Sequence, residues 1–244
     1  MARNVNVNDI VFVPRDRVTT QIDTPHSLVK ATVAAKANRT LTLNCPYDIG
    51  AQNVPSSAVH KDVGVCVIRV GDYQTENNLL NPLTKSIVHF LRILLPDDQL
   101  FTQYVRTPQE FYHVIATYGG AFTHFVLIGH ASAAGLHFAF GVHEPAAALR
   151  ANLPQYTQQP HNFVSLCCHS GERVFAHHFS ASASCNHLLA PFGALHGAVA
   201  SQFTQTFFAY HFLEGRTFTV AFNRSREGIP GGARFRHWQN GSLQ

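Results

Sequence analysis

The 244-residue chain reads as an α/β protein: a mostly parallel sheet with helices on both faces, preceded by a small β-barrel of SH3-like size. Three observations predict this. From Asp62 onward, short apolar runs alternate with stretches of helical periodicity, the pattern of parallel strands joined by helical crossovers. Two of those runs, His124 to His130 and Asn162 to Cys168, are apolar enough to be buried on both faces, and each ends in a reactive side chain. Residues 1–61 instead carry strand-like alternation punctuated by Pro14, Pro25, Pro46 and Pro55. The expected division is therefore residues 1–61 as the barrel and 62–244 as the α/β unit.

In the first unit, Val11 to Val13, Leu28 to Ala35 and Thr40 to Asn44 read as strands, with Asn38-Arg39 as a hairpin turn. Five strands would close the barrel. A unit of about 60 residues sits near the lower limit of independent stability, so it is expected to pack on the α/β unit. In that second unit Val63 to Val70 reads as a strand. Asn81 caps a helix with Pro82 in its first position, and Leu80, Leu83, Ile87, Phe90, Leu91 and Leu94 recur at helical spacing. Gln99 to Arg106 is a strand and Pro108 to Tyr118 a helix closed by Gly119-Gly120. The run ending at His130 is the next strand, followed by a hairpin from Leu136 to Phe140 and a helix from Glu144 to Leu153. Phe163 to Cys167 is a strand, Arg173 to Phe179 a helix, and Ala194 to Val199 a fifth strand. Phe203 to Leu213 and Arg216 to Arg224 are helices.

Composition narrows the function classes. Charged residues make up 13% and the formal charge is +4, with no Lys/Arg run long enough to track a phosphate backbone, so nucleic acid is not an expected partner. Arg224, Arg226, Arg234 and Arg236 read as a solvated basic face. No apolar stretch reaches about 18 residues, so no membrane helix is expected. The five cysteines are an odd number without the spacing of a disulfide framework, and a reducing, cytoplasmic setting is the simplest expectation. Despite 16 histidines, Cys167-Cys168 lack the gap of a Cys-x-x-Cys pair, and no metal and no cofactor are expected.

The two reactive strand ends carry the chemistry. In an open α/β sheet, ligands bind outside the carboxyl ends of the strands. A free thiol, with a pKa near ~8.5, is only a few per cent thiolate at neutral pH, so an imidazole placed beside it raises its reactivity. Side-chain alternation sends Cys167 to the opposite side from Cys168, into the core. His169 reads as structural. Ser132 lacks the Gly-x-Ser-x-Gly context of a serine hydrolase.

An apolar strand ending in Gly129-His130, followed by one ending in Cys167-Cys168-His169-Ser170-Gly171, resembles the caspase-like cysteine peptidases, a group that includes caspases, metacaspases, separases and CHAT domains. The resemblance implies Cys168 as nucleophile, His130 as the proton-transferring base, and the backbone N–H groups of Ala131 and Cys168 as the oxyanion hole. It implies a protein or peptide substrate and no cofactor. It also suggests a defence or cell-death effector, antiviral defence included. Two positions depart from the family pattern: Ala131 stands where Gly is usual, and Leu166 stands where metacaspases carry the Asp that binds a basic side chain before the scissile bond. Asp72 could supply a replacement charge, Arg69 could suit an acidic residue, and an uncharged pocket based on Leu166 is equally tenable. The barrel would serve regulation or docking of a partner protein. The alternative from another class is a catalytically inactive interaction or scaffold module of the same fold.

Overall fold

Apolar, β-branched segments set the framework. The computed structural model describes residues 5–18, 24–46, 50–61, 63–72, 78–155 and 160–244; Asp62, where the sequence pattern changes, lies outside them. Strands β1 (Ile10–Pro14), β2 (Leu28–Ala37), β3 (Thr40–Asn44) and β4 (Ala51–Pro55) form an antiparallel sheet in that order. Asn38, in the left-handed conformation at φ 54°, turns β2 into β3 as the sequence predicts. The expected fifth strand is not among the described residues. After β4 the chain makes a 3-10 turn at Ser56–Ala58, and His60 forms a single bridge to Phe12. The result is an open four-stranded sheet around Val11, Val13, Val29, Val33, Leu41 and Leu43.

The second region runs β5 (Val65–Val70), α1 (Leu80–Leu94), β6 (Leu100–Val105), α2 (Pro108–Tyr118), β7 (His124–Ile128), β8 (His130–Ser132), β9 (Gly135–His137), β10 (His143–Pro145), α3 (Ala146–Asn152), β11 (His161–Ser165), α4 (Arg173–Ser180), β12 (Cys185–Pro191), α5 (Gly197–Phe208), α6 (Phe218–Gly228), β13 (Phe235–Gln239) and β14 (Ser242–Leu243). The central sheet has the order β14-β13-β12-β11-β7-β5-β6. β6, β5, β7, β11 and β12 are parallel, while β13 and β14 are antiparallel. Alternate side chains feed two cores. Val65, Val67, Val126, Ile128 and Val164 pack with α1, α5 and α6. Cys66, Ile68, Phe125, Leu127 and Phe163 pack with α2, α3 and α4 on the other face. This two-faced burial is why the strands read as continuous apolar runs.

Several boundaries differ from expectation. The fifth parallel strand is Cys185–Pro191, not Ala194 to Val199: Gly193, at φ 85°, ends the extended chain, and Gly197 already opens α5. Helix α1 begins at Leu80, so Asn81 lies inside its first turn. The arginines at 234 and 236 flank and enter β13, where Phe235, His237 and Trp238 are buried, next to the edge strand β14. The hairpin expected after His130 is a three-stranded sheet, β10-β9-β8.

The N-terminal sheet docks at the end of α1 and beside a π-helical turn, Ala209–Leu213. Ser27 N–H donates to Ile93 O at 2.8 Å, Lys30 pairs with Asp98, and the His60 ring lies 3.0 Å from Phe212 O. Phe12 and Leu28 join the α1–α5–α6 core. Because α1 leaves the carboxyl end of β5 and runs back, these contacts lie at the amino edge of the large sheet. Among the described residues, no helix is long and apolar enough to cross a membrane.

Candidate active site

The carboxyl edge is where β7 and β11 release their chains side by side. In their parallel register Leu127 faces Ser165, and the Leu166 N–H donates to Leu127 O at 2.8 Å. His130 follows Leu127 by three residues and Cys168 follows Ser165 by three, so both lie just beyond this shared edge. Contact persists past the last register pair: the Cys167 thiol donates to Leu127 O at 3.8 Å.

Both strands end earlier than their sequences suggest. β7 stops at Ile128, and Gly129 bends the chain so that His130 opens β8 rather than closing β7. Gly129 must lack a side chain, because a Cβ there would sit 2.7 Å from Val70 O at the end of β5. His130 is exposed. It faces His137 across the β8–β9 pair, and His137 faces His143 across β9–β10. Burial, then charge repulsion from His143 and His130, holds His137 below the ordinary imidazole value. Among the described residues the His130 ring makes no hydrogen bond.

β11 stops at Ser165, and Cys168 lies in the turn that leads to α4. This turn is held from several directions. Ser170 Oγ donates to Cys167 O at 2.6 Å and lies 2.7 Å from Ser165 Oγ, which accepts the Cys167 N–H at 3.3 Å. His169 takes the left-handed conformation at φ 63°, with Nδ1 2.5 Å from Glu172 Oε1. The turn also lies along the β12–α5 loop. Gly171 N–H donates to Pro191 O at 2.8 Å, His169 N–H to Gly193 O at 2.9 Å, and Leu195 N–H to the Cys168 sulfur at 3.4 Å. A Cβ on Gly171 would come within 2.4 Å of Ala190 O, and Trp238 Nε1 caps the Gly171 carbonyl at 3.2 Å.

The two cysteines part as alternation predicts. Cys167 is fully buried among the α2–α3–α4 core residues, and burial pushes its thiol up to about 12, against hydrogen bonds from Ser165 and Gly129. Cys168 is half-buried, and its own backbone N–H is unengaged among the described residues. Ala131 is half-buried on β8. Of the specificity candidates, Leu166 is 5% exposed within the α1–α5–α6 core, and Arg69 is buried with its guanidinium 4.3 Å from the Tyr104 ring centroid. Asp72 is half-buried just beyond β5.

Sequence reasoning missed the supports: Ser165, Gly171, Leu195 and Trp238. Ser165 and Gly171 carry a signal, since a buried strand ending in Ser and a Gly two residues before a helix demand partners and close approach. Leu195 and Trp238 come from remote segments that only the fold brings in.

No family model matches the chain, and the search of curated proteins finds no relative. Among solved structures, the chain is similar to the Drosophila initiator caspase Dronc, with 14% identity and a TM-score of 0.46, covering 73% of this chain and 80% of that one. Among the described residues, no three His, Cys, Asp or Glu side chains converge as a metal ion requires.

Proposed function

We propose that the chain is a cysteine endopeptidase of the caspase-like type, with Cys168 as nucleophile and His130 as its acid–base partner. The carrying observation is the parallel β7–β11 pairing, extended by the Leu166 N–H to Leu127 O bond, which releases the chain segments leading into His130 and Cys168 side by side at one sheet edge. Exposure supports the same roles: His130 and Cys168 are accessible, whereas Cys167 is sealed in the core.

In this reading His130 takes the thiol proton and Cys168 Sγ attacks the peptide carbonyl. The carbonyl oxygen becomes an oxyanion facing the backbone N–H groups of Cys168 and Ala131, and one such donor is worth ~3 kcal/mol to the transition state. His130 then protonates the leaving amine, and a thioester remains on Cys168. Water, losing a proton to His130, attacks the thioester, releases the acid and restores the thiol. No redox partner is required. All five cysteines are free thiols, which suits a reducing compartment such as the cytoplasm.

Residues 1–61 are, in the same proposal, a separate unit that docks a regulatory partner, and the biological setting is a defence or cell-death effector. The placement of β1–β4 at the amino edge supports a role outside the chemistry, since strands of five or six residues put about 17–20 Å between the two edges.

One observation favours the second reading, an inactive module. The Cys168 sulfur is engaged by the Leu195 backbone, while the His130 ring has no hydrogen bond among the described residues. A peptidase awaiting substrate has the same look, because catalytic hydrogen bonds often tighten only on binding. Cleavage of a denatured protein substrate decides between them. Activity that survives Cys167→Ala and vanishes in Cys168→Ala supports the peptidase; a well-folded chain with no Cys168-dependent cleavage supports the module.

A further inference from the structure

Between the first turns of α1 and α5 lies a groove of ≈ 500 Å³, lined by Leu79, Pro82, Ser86, Ala198, Ser201 and Gln205 among others. Among the described residues, no ionisable side chain lines it. Its polar groups are hydroxyls and amides tied to one another: Ser86 Oγ lies 2.8 Å from Ser201 Oγ, and Gln205 Nε2 donates to both, at 3.1 and 2.9 Å.

The groove lies close to the candidate active site. Leu195 N–H reaches the Cys168 sulfur at 3.4 Å, and Gly197, two residues on, lines the groove. Two residues of chain span at most about 7 Å, so the groove begins within about 10 Å of the sulfur. Beneath, Leu166 belongs to the same apolar core as Leu83, which also lines the groove.

Resting on the peptidase reading, we propose that this groove is a specificity pocket that takes an uncharged side chain of the substrate. An extended peptide advances about 3.3–3.6 Å per residue, so that side chain lies within three residues of the scissile bond. Asn, Gln, Leu or Met fits the lining. A carboxylate or ammonium would lose its water and find no counter-charge among the described lining residues.

The test uses the full chain and a library of quenched fluorescent peptides varied on both sides of the cleaved bond. One position within three residues of that bond should accept Asn, Gln and Leu while Asp, Glu, Lys and Arg are cleaved at least about tenfold more slowly. Gln202, exposed on the rim, offers a charge swap. Gln202→Lys should raise cleavage of the Asp and Glu peptides at that position alone, and Gln202→Glu that of the Lys and Arg peptides. Equal acceptance of charged residues at every position overturns the pocket, as does a preference that both Gln202 variants leave unchanged. In either case Cys168-dependent cleavage leaves the peptidase reading standing. If no library peptide is cleaved by a folded chain, the peptidase reading falls and the pocket with it.

Discussion

The two halves of the candidate site are built to different standards. The Cys168 turn is fixed by the Ser165–Ser170–Cys167 hydrogen bonds, by the close approach of Gly171 to Ala190, and by the Trp238 cap. His130 opens a three-residue strand, is exposed, and among the described residues has no hydrogen bond to its ring. The proposed nucleophile is thus held in place by the core, while the proposed base can adjust its ring. Geometry at the attacking atom is the costlier thing to lose, because small misplacements there raise the barrier steeply. A proton shuttle must turn between thiol and leaving amine, and loose support suits that task.

The comparison is broken most decisively by activity. Cys168→Ala should remove cleavage entirely, and His130→Gln should lower kcat by about 10²–10⁴-fold, the usual worth of a positioned acid–base group. The two variants should differ from wild type by less than ~1 kcal/mol in urea unfolding, since neither side chain is fully buried. A large stability loss in His130→Gln would make that residue structural.

Gly171→Ala sharpens the contrast from the other side. Its Cβ would press on the Ala190 carbonyl, so we expect ~1–3 kcal/mol of destabilisation and slower alkylation of Cys168. Ser170→Ala leaves buried polar partners unsatisfied and should cost about 1–3 kcal/mol by the same unfolding measurement. Full activity and stability in both variants would contradict a preorganised turn.

A milder effect concerns pH. Burial holds His161, His187 and His237 neutral, with pKa values lowered from 6.5 to about 4. The unfolded chain binds their protons first as pH falls, so stability is greatest above about pH 6.5 and declines between pH 6.5 and 4. Replacing His187, whose ring stacks on Phe218 at 4.4 Å, with Phe should flatten part of that decline. An unchanged slope would mean that the group charges inside the fold.

Much of this was legible in the sequence. Apolar runs buried on both faces announced β5, β7 and β11, and Pro108 and Gly119-Gly120 bracketed α2, whose bounds match the expectation. The Gly-His and Cys-Cys-His-Ser-Gly segments fall at one sheet edge. What misled was local: Ala194 to Val199 is apolar enough for a strand, but Gly193 and the α5 start override that preference. β13 was hidden because Arg234 and Arg236 look like a solvated face, whereas the two-residue β14 pairs only with Trp238 and Gln239 and leaves the start of β13 open to charge. Among the described residues the N-terminal region is four paired strands, and the single bridge at His60 does not add the fifth that a barrel needs.

The most direct test of the Cys168–His130 pair needs no substrate. The rate of Cys168 alkylation by iodoacetamide, mapped by peptide mass spectrometry across pH 5 to 9, should be at least about tenfold slower at pH 7 in His130→Gln than in wild type, with Cys167 unmodified in both. Equal rates in the two proteins, or modification of Cys167 in the folded chain, would contradict the pairing.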